Sequence, residues 1–379
     1  MGKSGFLLTP VMGGQFVGRK QVLHELVKEL GNQKSHIGFC LYGKRRVGKT
    51  SIIMEAKELL KQKSDVVVTY LSLYDLPELT IKALVEALTE SLLTAYQASG
   101  KLPLKVKVKQ LLEAPWEIVL ELLKNSKIEA QVLDNVKIMW EYRHKDEGAE
   151  YLKYSFNLGE SLAKATSTKC IVMLDEFPEI LKIPNGLQAV KMLRTQYEVQ
   201  NKTALVISGS IRKTLDAVAL SEASPFYKQL VPKHVLPFTL EETVEFLKLH
   251  SKDNDKKEAE KLHELTGGSP FYLQYIGRAS GYSGGVDSAI KIFIEQEGDV
   301  FFKEEFEKLS EKEKTIVAAL SNGNMTLTNI ATELKEPITT IGRYMPILIE
   351  KEVAVKESRG TYKLADNLFG YWLREKTSN

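Results

Sequence analysis

Residues 39–56 of this 379-residue chain read "FCLYGKRRVGKTSIIMEA". The stretch begins with apolar residues, passes through a loop bounded by two glycines, and continues with the spacing of apolar residues that indicates a helix. Within it, Gly43-Lys44-Arg45-Arg46-Val47-Gly48-Lys49-Thr50 matches the P-loop pattern G-x-x-x-x-G-K-[ST]. Cations crowded into one turn repel one another, so the loop predicts that an anion binds there.

The physical chemistry of this loop indicates that the anion is a nucleotide phosphate chain. Its glycines let the backbone fold tightly and point N–H groups inward, and the helix that begins near Lys49 adds its positive dipole end. We predict that Lys49 reaches the β- and γ-phosphates and that the Thr50 hydroxyl binds Mg²⁺. Arg45 and Arg46 either join them or face solvent. The predicted ATP- or ADP-binding residues of the loop are Gly43, Lys44, Arg45, Arg46, Val47, Gly48, Lys49, Thr50 and Ser51.

Two further strand-like runs end in polar residues that suit phosphate chemistry. The run "IVMLDEF" (171–177) ends in two acids, and we predict that Asp175 holds Mg²⁺ through water while Glu176 polarises the attacking water as general base. The run "VISGSIR" (206–212) carries Ser208 and Ser210. These hydroxyls either sense the γ-phosphate and orient water or belong to an ordinary turn. The predicted catalytic set is Lys49, Asp175, Glu176, Ser208 and Ser210.

The pattern of apolar runs predicts the fold class. Runs of strand length alternate with helical patterns, and they are apolar on both faces, which is typical of a parallel sheet covered by helices on both sides. After residue 236 the pattern is helical, and it ends with two strand-like runs around a turn. We predict an α/β P-loop fold with a core at 1–236 that includes a helical insertion at about 101–150, a helical lid at 237–300, and a winged helix-turn-helix at 301–379.

The composition indicates a globular protein in a reducing compartment. The net charge is +3 and the pI is about 8.5, which does not by itself favour a nucleic-acid partner. Both cysteines, Cys40 and Cys170, lie in apolar runs, which predicts buried thiols and a cytoplasmic protein. We expect no membrane segment, because no apolar run reaches the roughly 20 residues that cross a bilayer.

An ordered set of short motifs resembles a known family. The motifs are "QFVGRKQVLHEL" (15–26), the P-loop, "MLDEF", "ISGS", "SPFYKQL" (224–230), "TGGSPFYL" (266–273) and "YKLADNLFGYWL" (362–373). Their order and spacing, over nearly the whole chain, resemble the archaeal P-loop ATPase family, in the STAND branch of the AAA+-like ATPases. The resemblance implies an ATP hydrolase with a helical lid and a C-terminal winged helix.

The resemblance also implies roles for residues outside the P-loop. Residues Phe16, Val17, Gly18 and Arg19 match the family segment that lies beside the adenine. Pro270, in the "GSP" of the lid, matches a residue that presses on the base and ribose, although the same glycines and proline also suit helix capping. The chain departs from the family at Lys228, where members often carry an arginine. Since lysine cannot form the same bidentate fork, the resemblance implies no arginine finger or arginine phosphate sensor at that place.

The winged-helix segment leaves its partner open. Side chains that would contact DNA phosphates lie on its second helix and on its wing: Thr339, Thr340, Arg343, Tyr344, Lys356, Arg359 and Lys363. Acids nearly balance bases across the segment, however, and Pro346 is expected to interrupt the second helix. Duplex DNA and a protein are therefore both candidate partners.

These observations predict an ATP-binding switch with slow hydrolysis, in which ATP binding promotes homo-oligomer assembly. One alternative is a DNA-acting ATPase related in plan to origin initiators or transposition regulators. A second alternative is a signalling or defence scaffold, in which the nucleotide only controls association with another protein. A P-loop kinase is disfavoured, because the chain carries a lid and a winged helix and no acceptor-site motif.

Overall fold

The computed structural model describes residues 9–102, 108, 136–137, 150–209, 215–250, 256–283, 285–358 and 360–378. Most of the predicted insertion at about 101–150 lies outside the described residues, as do Ser210 and Arg359. The chain separates into two compact units whose boundary falls between Leu236 and Pro237. No described helix is both long enough and apolar enough to cross a bilayer.

The N-terminal unit is built on a five-stranded parallel sheet, as the alternation of apolar runs predicts. Its strands are β1 (Gly38–Tyr42), β2 (Val66–Ser72), β3 (Lys169–Asp175), β4 (Thr203–Gly209) and β5 (Leu230–His234). Their order is β2-β3-β4-β1-β5, and each neighbouring pair is parallel. Strand β4 therefore separates the strand that leads into the P-loop from the strand that ends in Asp175.

Helices cover both faces of this sheet. They are α1 (Lys20–Leu30), α2 (Lys49–Lys61), α3 (Ile81–Ala98), α4 (Glu150–Ala165) and α5 (Gly186–Val199). Alternate residues of β1 enter different apolar layers. Phe39 and Leu41 pack with α1 and α2, whereas Cys40 packs with α3, α4 and α5. Both faces of the central strands are therefore buried, which explains their continuous apolar sequence.

Strand β5, which the sequence analysis did not identify, contains Pro232. Among the described strands, β5 pairs with β1 alone and forms an edge of the sheet. Proline is tolerated at such an edge, since its missing N–H can face away from the neighbouring strand. The pairing continues beyond the strand, where the Val235 N–H donates to the carbonyl oxygen of Tyr42 at 2.7 Å.

Lys169, the first residue of β3, is a buried cation that fastens the loop after α1. Its side chain is 2% exposed, and Nζ donates to the carbonyl oxygens of Glu29, Asn32 and Ser35 at 3.3, 2.9 and 2.8 Å. Burial lowers the pKa of Lys169 from 10.5 to about 8. The folded protein therefore holds this proton less tightly than the unfolded chain does.

We expect this difference to make stability depend on pH between about pH 8 and 10.5. In that range the unfolded chain keeps a proton that the folded chain releases, so the free energy of unfolding rises with pH by at most about 1.4 kcal/mol per pH unit. Urea unfolding of the wild type and of Lys169→Met, compared from about pH 8 to about pH 10, should show the wild type gaining stability relative to the variant. A difference that stays constant with pH would show that the ammonium keeps its ordinary pKa in the fold.

The C-terminal unit contains helices and a small antiparallel sheet. Its helices are α6 (Leu240–His250), α7 (Lys256–Thr266), α8 (Pro270–Ser283), α9 (Val286–Gly298), α10 (Glu304–Glu307), α11 (Glu311–Leu320), α12 (Leu327–Leu334), α13 (Ile338–Glu350) and α14 (Asn367–Ser378). The strands are β6 (Met325–Thr326), β7 (Ala354–Ser358) and β8 (Thr361–Leu364), in the order β6-β8-β7. The last part of the chain thus has the helices and the hairpin that the sequence predicts.

The expectation that Pro346 interrupts the second helix of the predicted winged helix, which is α13, is wrong. Helix α13 continues through Pro346 to Glu350. Ile341, Met345 and Leu348 are 0%, 1% and 0% exposed, so residues on both sides of the proline are buried in the core. This packing offsets the hydrogen bond that proline cannot donate.

Helix α14 joins the predicted lid to the predicted winged helix. Trp372 Nε1 donates to Asp299 Oδ1 at 2.7 Å, and its ring packs against Phe302 with centroids 6.1 Å apart. Earlier in the lid, the Tyr272 hydroxyl donates to Asp366 Oδ2 at 2.7 Å. Residues 237–300 and 301–379 therefore share one set of contacts within the C-terminal unit.

Candidate active site

The carboxyl ends of the parallel strands bring three predicted segments together. The P-loop follows β1, Asp175 ends β3, and Ser208 lies one residue before the end of β4. Because β4 lies between β1 and β3, Ser208 is placed between the P-loop and Asp175. This end of an open parallel sheet is where such folds bind ligands.

The P-loop adopts backbone conformations that few residues tolerate. Gly48, which precedes α2, has φ 93°, and Arg46 has φ 64°. A left-handed conformation at a residue with a side chain costs roughly 1–2 kcal/mol, so the rest of the loop must hold Arg46 in place. Val47, 2% exposed, packs into the apolar layer beneath α1 and α2 and provides that anchor.

Lys49 closes the loop from inside. The side chain is 5% exposed, and Nζ donates to the carbonyl oxygens of Gly43 at 3.0 Å and Lys44 at 2.9 Å. The ammonium therefore lies within the curve of the loop, where its charge is poorly screened by water. A phosphate oxygen at this place would accept a hydrogen bond from Lys49 in exchange for these carbonyls.

A side chain at Gly43 would collide with the backbone, which gives a testable requirement for glycine. A Cβ there would lie 2.3 Å from the carbonyl oxygen of Val235. We expect Gly43→Ala to lower the free energy of unfolding by about 1–3 kcal/mol, because the loop or the residues after β5 must shift. Gly14→Ala is the control, since a Cβ there would meet no described atom within 4 Å. Equal urea unfolding curves for the two variants would contradict this expectation.

Asp175 is the centre of a hydrogen-bond network and is 2% exposed. Its Oδ2 accepts from Thr50 Oγ1 at 2.7 Å and from the Tyr70 hydroxyl at 3.1 Å. Its Oδ1 accepts from Ser208 Oγ and, at 3.0 Å, from the backbone N–H of Glu176. The carboxylate is therefore oriented by side chains from α2, β2 and β4 and by the backbone N–H of the residue that follows it.

Glu176 follows Asp175 in a left-handed conformation, with φ 49°. Partial burial, and then the carboxylates of Glu176 and Glu179, raise the pKa of the Tyr74 phenol, whereas the Arg45 guanidinium opposes them. Glu176 and Arg45 thus both lie near this phenol. The strained backbone at Glu176 is of the kind that clusters at functional sites.

The segment matched to the family's adenine-binding residues lies beside the P-loop. Arg19 Nη2 donates to the carbonyl oxygens of Val47 at 2.8 Å and Leu236 at 2.7 Å. Gly18 has φ 68°, Val17 is 5% exposed, and Phe16 packs against the same apolar layer as α1 and α2. The segment is therefore tied to the loop by a cation that donates to backbone carbonyls.

The residues just before this segment are fastened to α2. Val11 N–H donates to Ser51 Oγ at 3.3 Å, and Gly13 N–H donates to Glu55 Oε2 at 2.6 Å. Glu55, which is 9% exposed, was not predicted from the sequence. Pro270 begins α8 of the C-terminal unit, and its role at the base remains a prediction.

Tyr70 is the functional candidate that sequence analysis missed. Burial, and then the charge of Asp175, raise the pKa of Tyr70, so its hydroxyl is a donor at neutral pH. The only signal in the sequence is a tyrosine within the apolar strand "VVVTYLS". Its contact is with a residue 105 positions later, which a local pattern cannot reveal.

Comparisons with known proteins found a matching family model and similar solved structures. The model of a family described as an ATPase domain predominantly from Archaea matches residues 16–276. A Walker-type ATPase of Pyrococcus abyssi superposes with a TM-score of 0.67 at 21% identity, over 97% of this chain and 99% of that chain. The ORC2 protein of Aeropyrum pernix superposes with a TM-score of 0.60 at 12% identity, over 97% of each chain. A search of curated proteins found no match.

Proposed function

Since the chain belongs to the family of ATPase domains found predominantly in Archaea, we propose that it is a molecular switch controlled by the nucleotide it binds. Membership makes it an ATPase that binds ATP and ADP. The observation that carries the proposal is the network in which Thr50 of the P-loop and Ser208 of β4 both donate to Asp175. We propose that hydrolysis at this network is slow and resets the switch.

Nucleotide binding is proposed to depend on the P-loop backbone and Lys49. The backbone N–H groups and the N-terminus of α2 provide partial positive charge for the phosphate chain. Phosphate oxygens would accept from Lys49 Nζ, which now donates to the carbonyl oxygens of Gly43 and Lys44. This exchange of hydrogen-bond partners would let the conformation of the P-loop change when a nucleotide binds.

The donor set fits Mg²⁺. Thr50 Oγ1 lies 2.7 Å from Asp175 Oδ2. In nucleotide sites, Mg²⁺ binds a few protein oxygens of this kind together with oxygens of the substrate phosphates. Among the described residues, no group of three or more His, Cys, Asp and Glu could hold a metal on its own. When bound, Mg²⁺ neutralises charge on the phosphate oxygens.

Hydrolysis is proposed to use Glu176 and Ser208. The Glu176 carboxylate would accept a proton from the attacking water. Ser208, 0% exposed, would keep Asp175 in a fixed orientation through its hydrogen bond to Oδ1. The positions of these residues at the carboxyl ends of β3 and β4 support both proposed roles.

The output of the switch is proposed to be the C-terminal unit as a whole. Trp372 of α14 donates to Asp299 of the lid, and Tyr272 of the lid donates to Asp366, which precedes α14. A change that reaches the lid or the winged helix would therefore carry the other segment with it. We propose a protein partner or a second copy of the chain as the target. ATP binding would favour the assembled state.

Duplex DNA is the second candidate target. Arg343 on α13 and Lys356 on β7 are exposed, as phosphate contacts require. On the same hairpin, however, Lys363 pairs with Glu357 at 2.5 Å, which offsets its charge. This pairing is why a protein target is placed first.

The size of the purified full-length chain, measured by light scattering, tests the switch. We expect a larger assembly with a non-hydrolysable ATP analogue than with ADP. The same sample, titrated with a fluorescent duplex at several salt concentrations, tests DNA binding, which would show a steep salt dependence. Identical size with both nucleotides, together with an unshifted duplex, would contradict the proposed function.

A further inference from the structure

We propose that Tyr70 is a positioning residue that competes with Mg²⁺ for Asp175 and thereby sets how much Mg²⁺ nucleotide binding requires. The inference rests on the proposed magnesium site at Thr50 and Asp175. It adds a residue from β2, and it assigns that residue a direction of effect: its hydroxyl opposes metal uptake.

The first step is the count of donors around Asp175. Four described donors reach its two oxygens, from Thr50, Tyr70, Ser208 and the Glu176 backbone. An ionised carboxylate offers about four lone-pair positions, so these donors match its full capacity. Hydrated Mg²⁺ needs one of those lone-pair positions on Asp175. One of the four donors must therefore give up its hydrogen bond to the carboxylate.

The second step identifies which donor yields. The Glu176 N–H has a direction fixed by the backbone, and Ser208 is 0% exposed, so neither can turn to water. Thr50 belongs to the predicted metal site and approaches Oδ2 at the shorter distance of 2.7 Å. Tyr70 donates to the same oxygen at the longer distance of 3.1 Å and is only partly buried, so we infer that its hydroxyl is the donor that turns away.

The third step concerns the tyrosine ring. It packs against the apolar layer shared with α1 and α2, and Lys57 Nζ lies 5.2 Å from its centroid. The ring therefore stays in place while the O–H bond rotates. Because the hydroxyl can also accept a hydrogen bond, it can remain beside the occupied site after it releases Asp175.

Tyr70→Phe removes the competing hydroxyl and keeps the ring. We expect the Mg²⁺ concentration for half-maximal enhancement of ADP binding to fall about fivefold, the effect of one modest hydrogen bond. ADP affinity measured in EDTA should stay within about twofold, because the P-loop is untouched. Calorimetry with ADP at a series of Mg²⁺ concentrations gives both quantities. Tyr371→Phe, at a tyrosine of α14 that is 37% exposed, is the matched control.

Two outcomes would overturn the proposal. An unchanged Mg²⁺ requirement would show that Tyr70 does not compete, and a raised requirement would show that it supports metal binding instead. In the Asp175→Asn background, Tyr70→Phe should have no further effect, and an additive effect would place Tyr70's action elsewhere. If the wild type binds ADP equally well with and without Mg²⁺, the proposed metal site itself is wrong.

Discussion

Lys49→Ala is expected to abolish measurable nucleotide binding and turnover. The ammonium is 5% exposed and lies within the P-loop, so its loss leaves the phosphate charge without its main cationic partner. Removing one partner of a buried, hydrogen-bonded charge pair costs about 2–5 kcal/mol. This corresponds to roughly 30- to 5,000-fold weaker binding. Phosphate release and binding of a fluorescent ADP analogue measure the two losses.

Lys61→Ala is the matched control for this variant. Lys61 ends the same helix and pairs with Glu58 on the exposed surface at 2.8 Å, so its loss should leave both activities unchanged. The unfolding of Lys49→Ala should also be recorded, because Nζ fastens the loop through Gly43 and Lys44. Normal hydrolysis by a folded Lys49→Ala protein would show that the site is assigned wrongly.

Glu176→Gln is expected to separate binding from chemistry. The amide keeps the size and shape of the carboxylate but cannot take a proton from water, so hydrolysis should slow by roughly 10²- to 10⁴-fold. ATP affinity should change little, because the phosphate-binding groups are unaltered. Single-turnover hydrolysis and calorimetric ATP binding measure the two effects.

The control for Glu176→Gln is Glu198→Gln. Glu198 lies on α5 and pairs with Arg194 at 2.5 Å on the surface, so its loss should not affect turnover. A Glu176→Gln protein that hydrolyses ATP at the wild-type rate would exclude Glu176 as the general base. A protein that binds no ATP would instead give Glu176 a part in binding.

Local patterns predicted most of the N-terminal unit because its elements have local causes. Among the described residues, the P-loop, the predicted apolar strands and the helices that follow them appear. Membership of the archaeal P-loop ATPase family and the predicted ATP hydrolysis are confirmed. Strand β5 could not be predicted from local sequence, since Pro232 is tolerated there only because the strand lies at the edge of the sheet. The continuous α13 likewise depends on core packing on both sides of Pro346.

In the candidate site, too, local sequence patterns predicted the residues that carry motifs and missed a contact that depends on the fold. Thr50 and Asp175 carry recognisable motifs, and the structure places their oxygens 2.7 Å apart. Tyr70 carries no motif, and its contact with Asp175 exists only because β2 and β3 are neighbours in register. Arg19 was matched to the base pocket by resemblance, but its bonds to the carbonyls of Val47 and Leu236 follow from the fold.

Calorimetric titration of the purified wild-type chain with ADP and with a non-hydrolysable ATP analogue, both in Mg²⁺, measures the occupancy of the P-loop directly. Saturable binding of one nucleotide per chain, lost in Lys49→Ala, is the predicted result. Absence of heat with both nucleotides, from a folded protein that carries no nucleotide from purification, would contradict the assignment of residues 43–51 as the phosphate-binding site.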